Sequence, residues 1–85
     1  MTNKEYILDC LVDGDNYGEC ETQIKEYFKF VRVDIGIEEI SKLINEMLDE
    51  GLICVNETWT NEHGEKPYVI TDTGRAFLSK IIDPT

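Results

Sequence analysis

The sequence has no apolar run approaching the roughly 20 residues that a membrane-spanning helix needs. Nor does it open like a secretory leader, since Met1-Thr2-Asn3-Lys4-Glu5 runs directly into a helical pattern. A cytoplasmic location is the expectation that follows. Basic residues are scarce: 8 Lys and Arg stand against 18 Asp and Glu, for a net charge of −10. Such a balance opposes nucleic acid and anionic lipid unless a local basic patch overcomes it. Histidine is reduced to His63, in a polar stretch, and no Gly-x-Ser-x-Gly, His-Glu-x-x-His or phosphate-binding glycine loop is present. No catalytic constellation emerges, and an enzyme is not expected.

Cys10, Cys20 and Cys54 include no Cys-x-x-Cys pair, and an odd number cannot all pair within one chain. Each sits beside apolar residues, as a small buried thiol would. Metal sites usually begin with closely spaced ligand pairs, so neither metal nor cofactor is expected. Asp13-x-Asp15-x-Tyr17-Gly18 is similar to the start of a calcium loop. However, Tyr17 replaces an oxygen ligand, and the bidentate glutamate position falls on Ile24. A glycine-rich turn explains the stretch without a metal.

What is present suits one globular domain covering residues 1–85. Ile7, Leu8, Leu11 and Val12 give a first helix from Lys4 to Val12, ending in the turn formers Asp13-Gly14-Asp15-Asn16-Tyr17-Gly18. A second helix runs from about Glu19 to Tyr27 or Phe28, with Phe30-Val31-Arg32-Val33 either extending it or linking onward. Ile37, Ile40, Leu43, Ile44, Met47 and Leu48 form the strongest helical stripe, stopped by Gly51. Leu52 to Glu57, continued by Trp59, reads as a strand paired with Lys66 to Ile70. Thr71 or Thr73 then caps a fourth helix, which ends near Pro84.

Two runs carry a family resemblance: Ile40-x-x-Leu43-Ile44-x-x-Met47-Leu48-x-x-Gly51-Leu52-Ile53 and Tyr68-x-x-Thr71-x-x-Gly74-Arg75. With the order of elements, they resemble the winged helix-turn-helix superfamily, including MarR-like and PadR-like bacterial regulators. The resemblance implies an α+β, mainly α fold with three helices, a two-stranded β wing and a C-terminal helix. It further implies a third helix in the major groove of DNA, a second helix bracing phosphates and a wing touching the duplex beside them. Carried onto this chain, Ser41, Lys42 and Asn45 become base or phosphate contacts. Lys25, Lys29, Arg32 and Lys66 become phosphate contacts, the first three spaced along one side of the second helix; the residues alone read equally as a solvated face with Glu21 to Lys25 as an i, i+4 ion pair.

The acidic residues support a second expectation. Glu38, Glu39, Glu46 and Asp49 on the third helix, with Glu57 and Glu62 in the wing, would repel a phosphate backbone. They would suit a basic protein partner instead, with Trp59 as an aromatic contact if it does not pack across the wing on Tyr68. Phe77, Leu78, Ile81 and Ile82 form a broad apolar surface on the last helix, suited to homodimerisation.

Overall fold

The computed structural model describes residues 2–13 and 17–82, with backbone alone at 13 and 80–82. The elements are α1 (Asn3–Asp13), α2 (Glu21–Phe30), α3 (Ile37–Asp49), β1 (Ile53–Val55), β2 (Tyr68–Ile70) and α4 (Asp72–Ile82). Residues 14–16, within the expected first turn, and 84, the expected stop of the last helix, lie outside the described residues. Among the described residues no helix is long and apolar enough to cross a membrane.

Helix α1 is the centre of the packing and touches α2, α3, α4 and β2. Thr2 opens it, with its hydroxyl accepting the Glu5 amide at 3.3 Å, as an N-cap does. Ile7, Leu8 and Leu11 are fully buried and meet Ile24 and Phe28 of α2 and Ile40, Leu43, Ile44 and Met47 of α3. Phe28 meets Tyr6 edge-on at 5.9 Å between ring centroids. Burying such a ring contributes about 1.5–3 kcal/mol.

Helix α2 begins two residues later than its periodicity predicts. Cys20 is its N-cap, and the Cys20 amide donates to the Gln23 carboxamide at 2.7 Å. Glu19 instead pairs with Tyr68, exchanging two backbone hydrogen bonds of 3.0 and 2.9 Å. At its other end α2 stops at Phe30. The Val33 amide closes on the Phe28 carbonyl and the Arg32 amide on Lys29, with Arg32 at φ 61°. The segment 30–33 is therefore a helix ending and a turn, not a strand.

Helix α3 follows its stripe with one departure. Ile37, expected in the core, is 63% exposed because it opens the helix before the first turn reaches α1. Its far end repeats the closure of α2: the Leu52 amide donates to Met47, the Gly51 amide to Leu48, and Gly51 takes φ 75°.

Strands β1 and β2 pair antiparallel, with Ile53 opposite Ile70, Cys54 opposite Val69 and Val55 opposite Tyr68. The ladder is shorter than the apolar pattern suggests, for a definite reason. The Asn56 amide still reaches the Pro67 carbonyl, but Pro67 has no N–H to return. Asn56 then accepts from the Thr58 amide and hydroxyl, which turns the chain away. Trp59 is consequently outside the strand. Cys54 is exposed, contrary to its expected burial, because alternation sends Ile53 inward and Cys54 outward.

Thr71 joins α4 to this sheet. Its hydroxyl lies 2.6 and 2.9 Å from the Gly51 and Leu52 carbonyls and accepts the Gly74 amide at 3.0 Å. Gly74 allows α4 to approach closely, since a Cβ there would stand 2.2 Å from the Leu52 carbonyl oxygen.

Candidate nucleic-acid interface

With Ile40, Leu43, Ile44 and Met47 facing inward, the opposite line of α3 is Glu38, Lys42, Asn45 and Asp49, all exposed. Among the described residues Lys42 and Asn45 have no side-chain hydrogen bond or ion pair, so an ammonium and an amide stand outward together. Glu39 is exposed in the first turn. The two flanks of the helix are committed to neighbours. On one, the Ser41 hydroxyl donates to Glu21 of α2 at 2.6 Å, so Ser41 is not presented freely to a ligand.

On the other flank, Lys4 of α1 lies 3.4 Å from Glu46 and 2.8 Å from Glu50. The hydrogen bond to Glu50 is the main reason the Lys4 ammonium titrates above its ordinary range. Thus Glu46, one of the carboxylates expected to repel a polyanion, is turned toward a lysine of α1 together with Glu50. Glu38, Glu39 and Asp49 remain on the outer surface.

The expected basic stripe on α2 does not form as spaced. Lys25 pairs with Glu21 at 3.6 Å, and Lys29 pairs with Glu26 at 3.7 Å, both from within the helix. Arg32 falls beyond the helix end, in a left-handed residue that takes it off the line of the other two. Its guanidinium is exposed and has no ion pair among the described residues.

Beside the Glu19–Tyr68 bridge, the Glu65 carboxylate joins the wing to α2. Glu65 accepts from the Thr22 hydroxyl at 2.6 Å and from the Asn61 amide group at 2.9 Å. Asn61 in turn accepts the His63 and Glu65 amides, which shapes the tip. These donors, Thr22 first, hold the Glu65 carboxyl below its ordinary pKa. Beside it, burial pushes the Cys20 thiol up, and burial also raises Glu19 and Tyr68. Lys66 pairs with Glu57, so the one lysine of the wing is spent within it. Glu62 is exposed beside His63 at 3.7 Å.

Trp59 does not meet Tyr68. Its indole N–H donates to the Tyr17 carbonyl at 3.2 Å, beside the Asn56 carboxamide on the same oxygen. On α4, Leu78 is 6% exposed and belongs to the chain's own core, which removes it from a dimer surface. Phe77 is 38% exposed and remains available. The side chains of Ile81 and Ile82 lie outside the described residues.

Sequence reasoning pairs Glu21 with Lys25, as the structure does, but misses the bond from Ser41 to Glu21 and misses Lys4, which gathers Glu46 and Glu50. Only the Glu21–Lys25 spacing is visible as a local signal. It also left Phe30 unplaced. Phe30 is 83% exposed, off the face that buries Ile24 and Phe28.

No family model matches the sequence, and no curated protein does. Solved structures do. The chain is similar to SSV1 F-93 with a TM-score of 0.68 at 19% identity, covering 99% of this chain and 89% of that one. It is also similar to the Vibrio cholerae ferric uptake regulator (Fur), whose crystal structure shows rearranged DNA-binding domains. There the TM-score is 0.66 at 14% identity, covering 84% of this chain. This chain spans about half of the Fur chain, 52%. At these identities the likeness is one of fold, and the fold is the winged helix.

Proposed function

We propose that this domain is a transcription regulator that binds duplex DNA, with α3 in the major groove and the wing beside it. The observation that carries this reading is the outward line of α3. Lys42 and Asn45 stand there without a side-chain partner among the described residues, while Glu46 and Glu50 are drawn to Lys4. An amide matches the adenine edge, an ammonium matches guanine or phosphate, and Glu38 can accept from cytosine. Fur, a structural neighbour, contains DNA-binding domains, which adds support by analogy of fold.

Charge sets the terms of such binding. A module that binds tightly neutralises roughly six to ten phosphates. Arg32, Lys42 and Arg75 are the described cations without an intramolecular ion pair. One copy therefore binds weakly, and two copies supply the needed contacts. Phe77 on α4 is the exposed apolar residue around which a pair would form. A cytoplasmic location goes with this role.

The test is fluorescence anisotropy with random-sequence duplex at about 20 mM salt, where screening is weak, followed by salt titration. Binding that falls steeply with salt is expected. Lys42→Ala should flatten the salt slope by about one, and Asn45→Ala should cost about 1–3 kcal/mol at preferred sites only. Absence of binding at the lowest salt overturns the DNA reading. Capture of a basic protein by Glu38, Glu39, Asp49, Glu57 and Glu62 would then take its place.

A further inference from the structure

Beyond the last rung of the wing, where the Asn56 amide meets the Pro67 carbonyl, the next facing residues are Glu57 and Lys66. Their side chains form an ion pair across the hairpin, both half or more in water. Opposite charges at facing positions are common in hairpins. The surroundings of this pair set it apart. Glu57 and Lys66 line a cleft of about 390 Å³ together with Val55, Tyr68, Glu65 and Glu21, the last from the first turn of α2. One ammonium thus shares the cleft with three carboxylates. Burial raises the Tyr68 phenol in its wall, and the charges of Glu21 and Glu65 raise it further.

The three carboxylates are committed differently. Glu65 accepts from Thr22 and Asn61, and Glu21 accepts from Ser41 of α3, so both keep partners whatever Lys66 does. Among the described residues Glu57 has Lys66 as its one side-chain partner. The cleft lies between the wing and the turn of α2 that holds Ser41. A duplex with α3 in its major groove would carry its backbone past this place.

We propose that Glu57 is an autoinhibitory stand-in for phosphate. It occupies Lys66 in the free chain, and a duplex gains that lysine only by displacing it. The inference rests on the duplex-binding reading and adds to it a wing contact that is masked. On binding, the ammonium exchanges one oxyanion for another, while the released Glu57 carboxylate stays close to the phosphate and gathers a counterion of its own. The wing lysine therefore adds little affinity or salt dependence in the chain as it stands. Removing the Glu57 charge makes the same lysine a full phosphate contact.

The probe is random-sequence duplex, read by fluorescence anisotropy on the full chain across a salt titration. Glu57→Gln should tighten binding roughly two- to fivefold at about 20 mM salt, the range of an exposed ion pair. It should also steepen the slope of log affinity against log salt by about 0.9. Glu62→Gln removes the same charge from the wing without freeing a lysine, and should change the slope much less. Lys66→Ala should leave the wild-type slope nearly unchanged and cancel the gain in the Glu57→Gln background. All three side chains are exposed, so each variant should keep the wild-type circular dichroism spectrum.

Equal gains in Glu57→Gln and Glu62→Gln overturn the proposal, as does a gain that survives Lys66→Ala. So does a loss of about 0.9 in slope from Lys66→Ala alone, which would put the lysine on phosphate already. In each of these cases the duplex reading stands if Lys42→Ala still flattens the slope. Absence of binding by every variant removes both.

Discussion

Helices α2 and α3 close with the same hydrogen bonds. Val33 returns to Phe28 and Arg32 to Lys29 in one, and Leu52 returns to Met47 and Gly51 to Leu48 in the other. The left-handed residue is Arg32 at φ 61° in the first and Gly51 at φ 75° in the second. Their surroundings differ more than their backbones. The end of α3 is braced by Thr71 and by the close pass of Gly74, whereas the end of α2 opens onto Phe30, Ile37 and a groove. One closure is a joint of the core, and the other presents side chains to solvent.

Substitutions break or sharpen this contrast. The largest effect is expected from Gly74→Ala. Its Cβ would stand 2.2 Å from the Leu52 carbonyl oxygen and 2.8 Å from Ile70 Cγ1. Moving α4 away should cost about 3 kcal/mol, at the upper end of overpacking penalties, and urea unfolding will read it. Gly51→Ala meets nothing within 4 Å, so it isolates the left-handed backbone cost. A loss of about 1–2 kcal/mol is expected.

Thr71→Val removes the hydroxyl that caps α4 and reaches the carbonyls of Gly51 and Leu52. It should cost about 1 kcal/mol by the same denaturation assay. Arg32→Gly is the smallest change and opposite in sign. Relief of the left-handed arginine should stabilise the chain by about 0.5–1 kcal/mol, partly offset by glycine's freedom when unfolded. Thermal unfolding should rise by a few degrees, since about 1 kcal/mol moves Tm by roughly 4–8 °C in a domain this small. A fall in Tm would mean that the Arg32 side chain contributes more within the chain than its backbone costs.

The same contrast explains what could be read before the structure. The end of α3 was legible because glycine is the residue that a left-handed closure prefers. The end of α2 was hidden because arginine carries no such signal, and Phe30 to Val33 alternate like a strand. The order of elements was legible from the periodicity of Ile40 to Leu48 and from Thr71 to Gly74. The sequence pattern overextends the wing because it runs on past Asn56 to Trp59, whereas the Asn56 side chain folds the chain back. Site residues were legible by position but not by pairing. That Ser41 serves Glu21, and that Lys4 gathers Glu46 and Glu50, depends on neighbours 20 or more positions away. No local pattern records such distances.

The attachment of the wing through Glu65 has a mechanical consequence. Thr22, in the first turn of α2, and Asn61, near the wing tip, share one carboxylate. The wing tip is therefore tied to the first turn of α2, and Glu21 in that same turn holds Ser41 of α3. One helical turn thus touches both the wing and α3, through Thr22 on one side and Glu21 on the other.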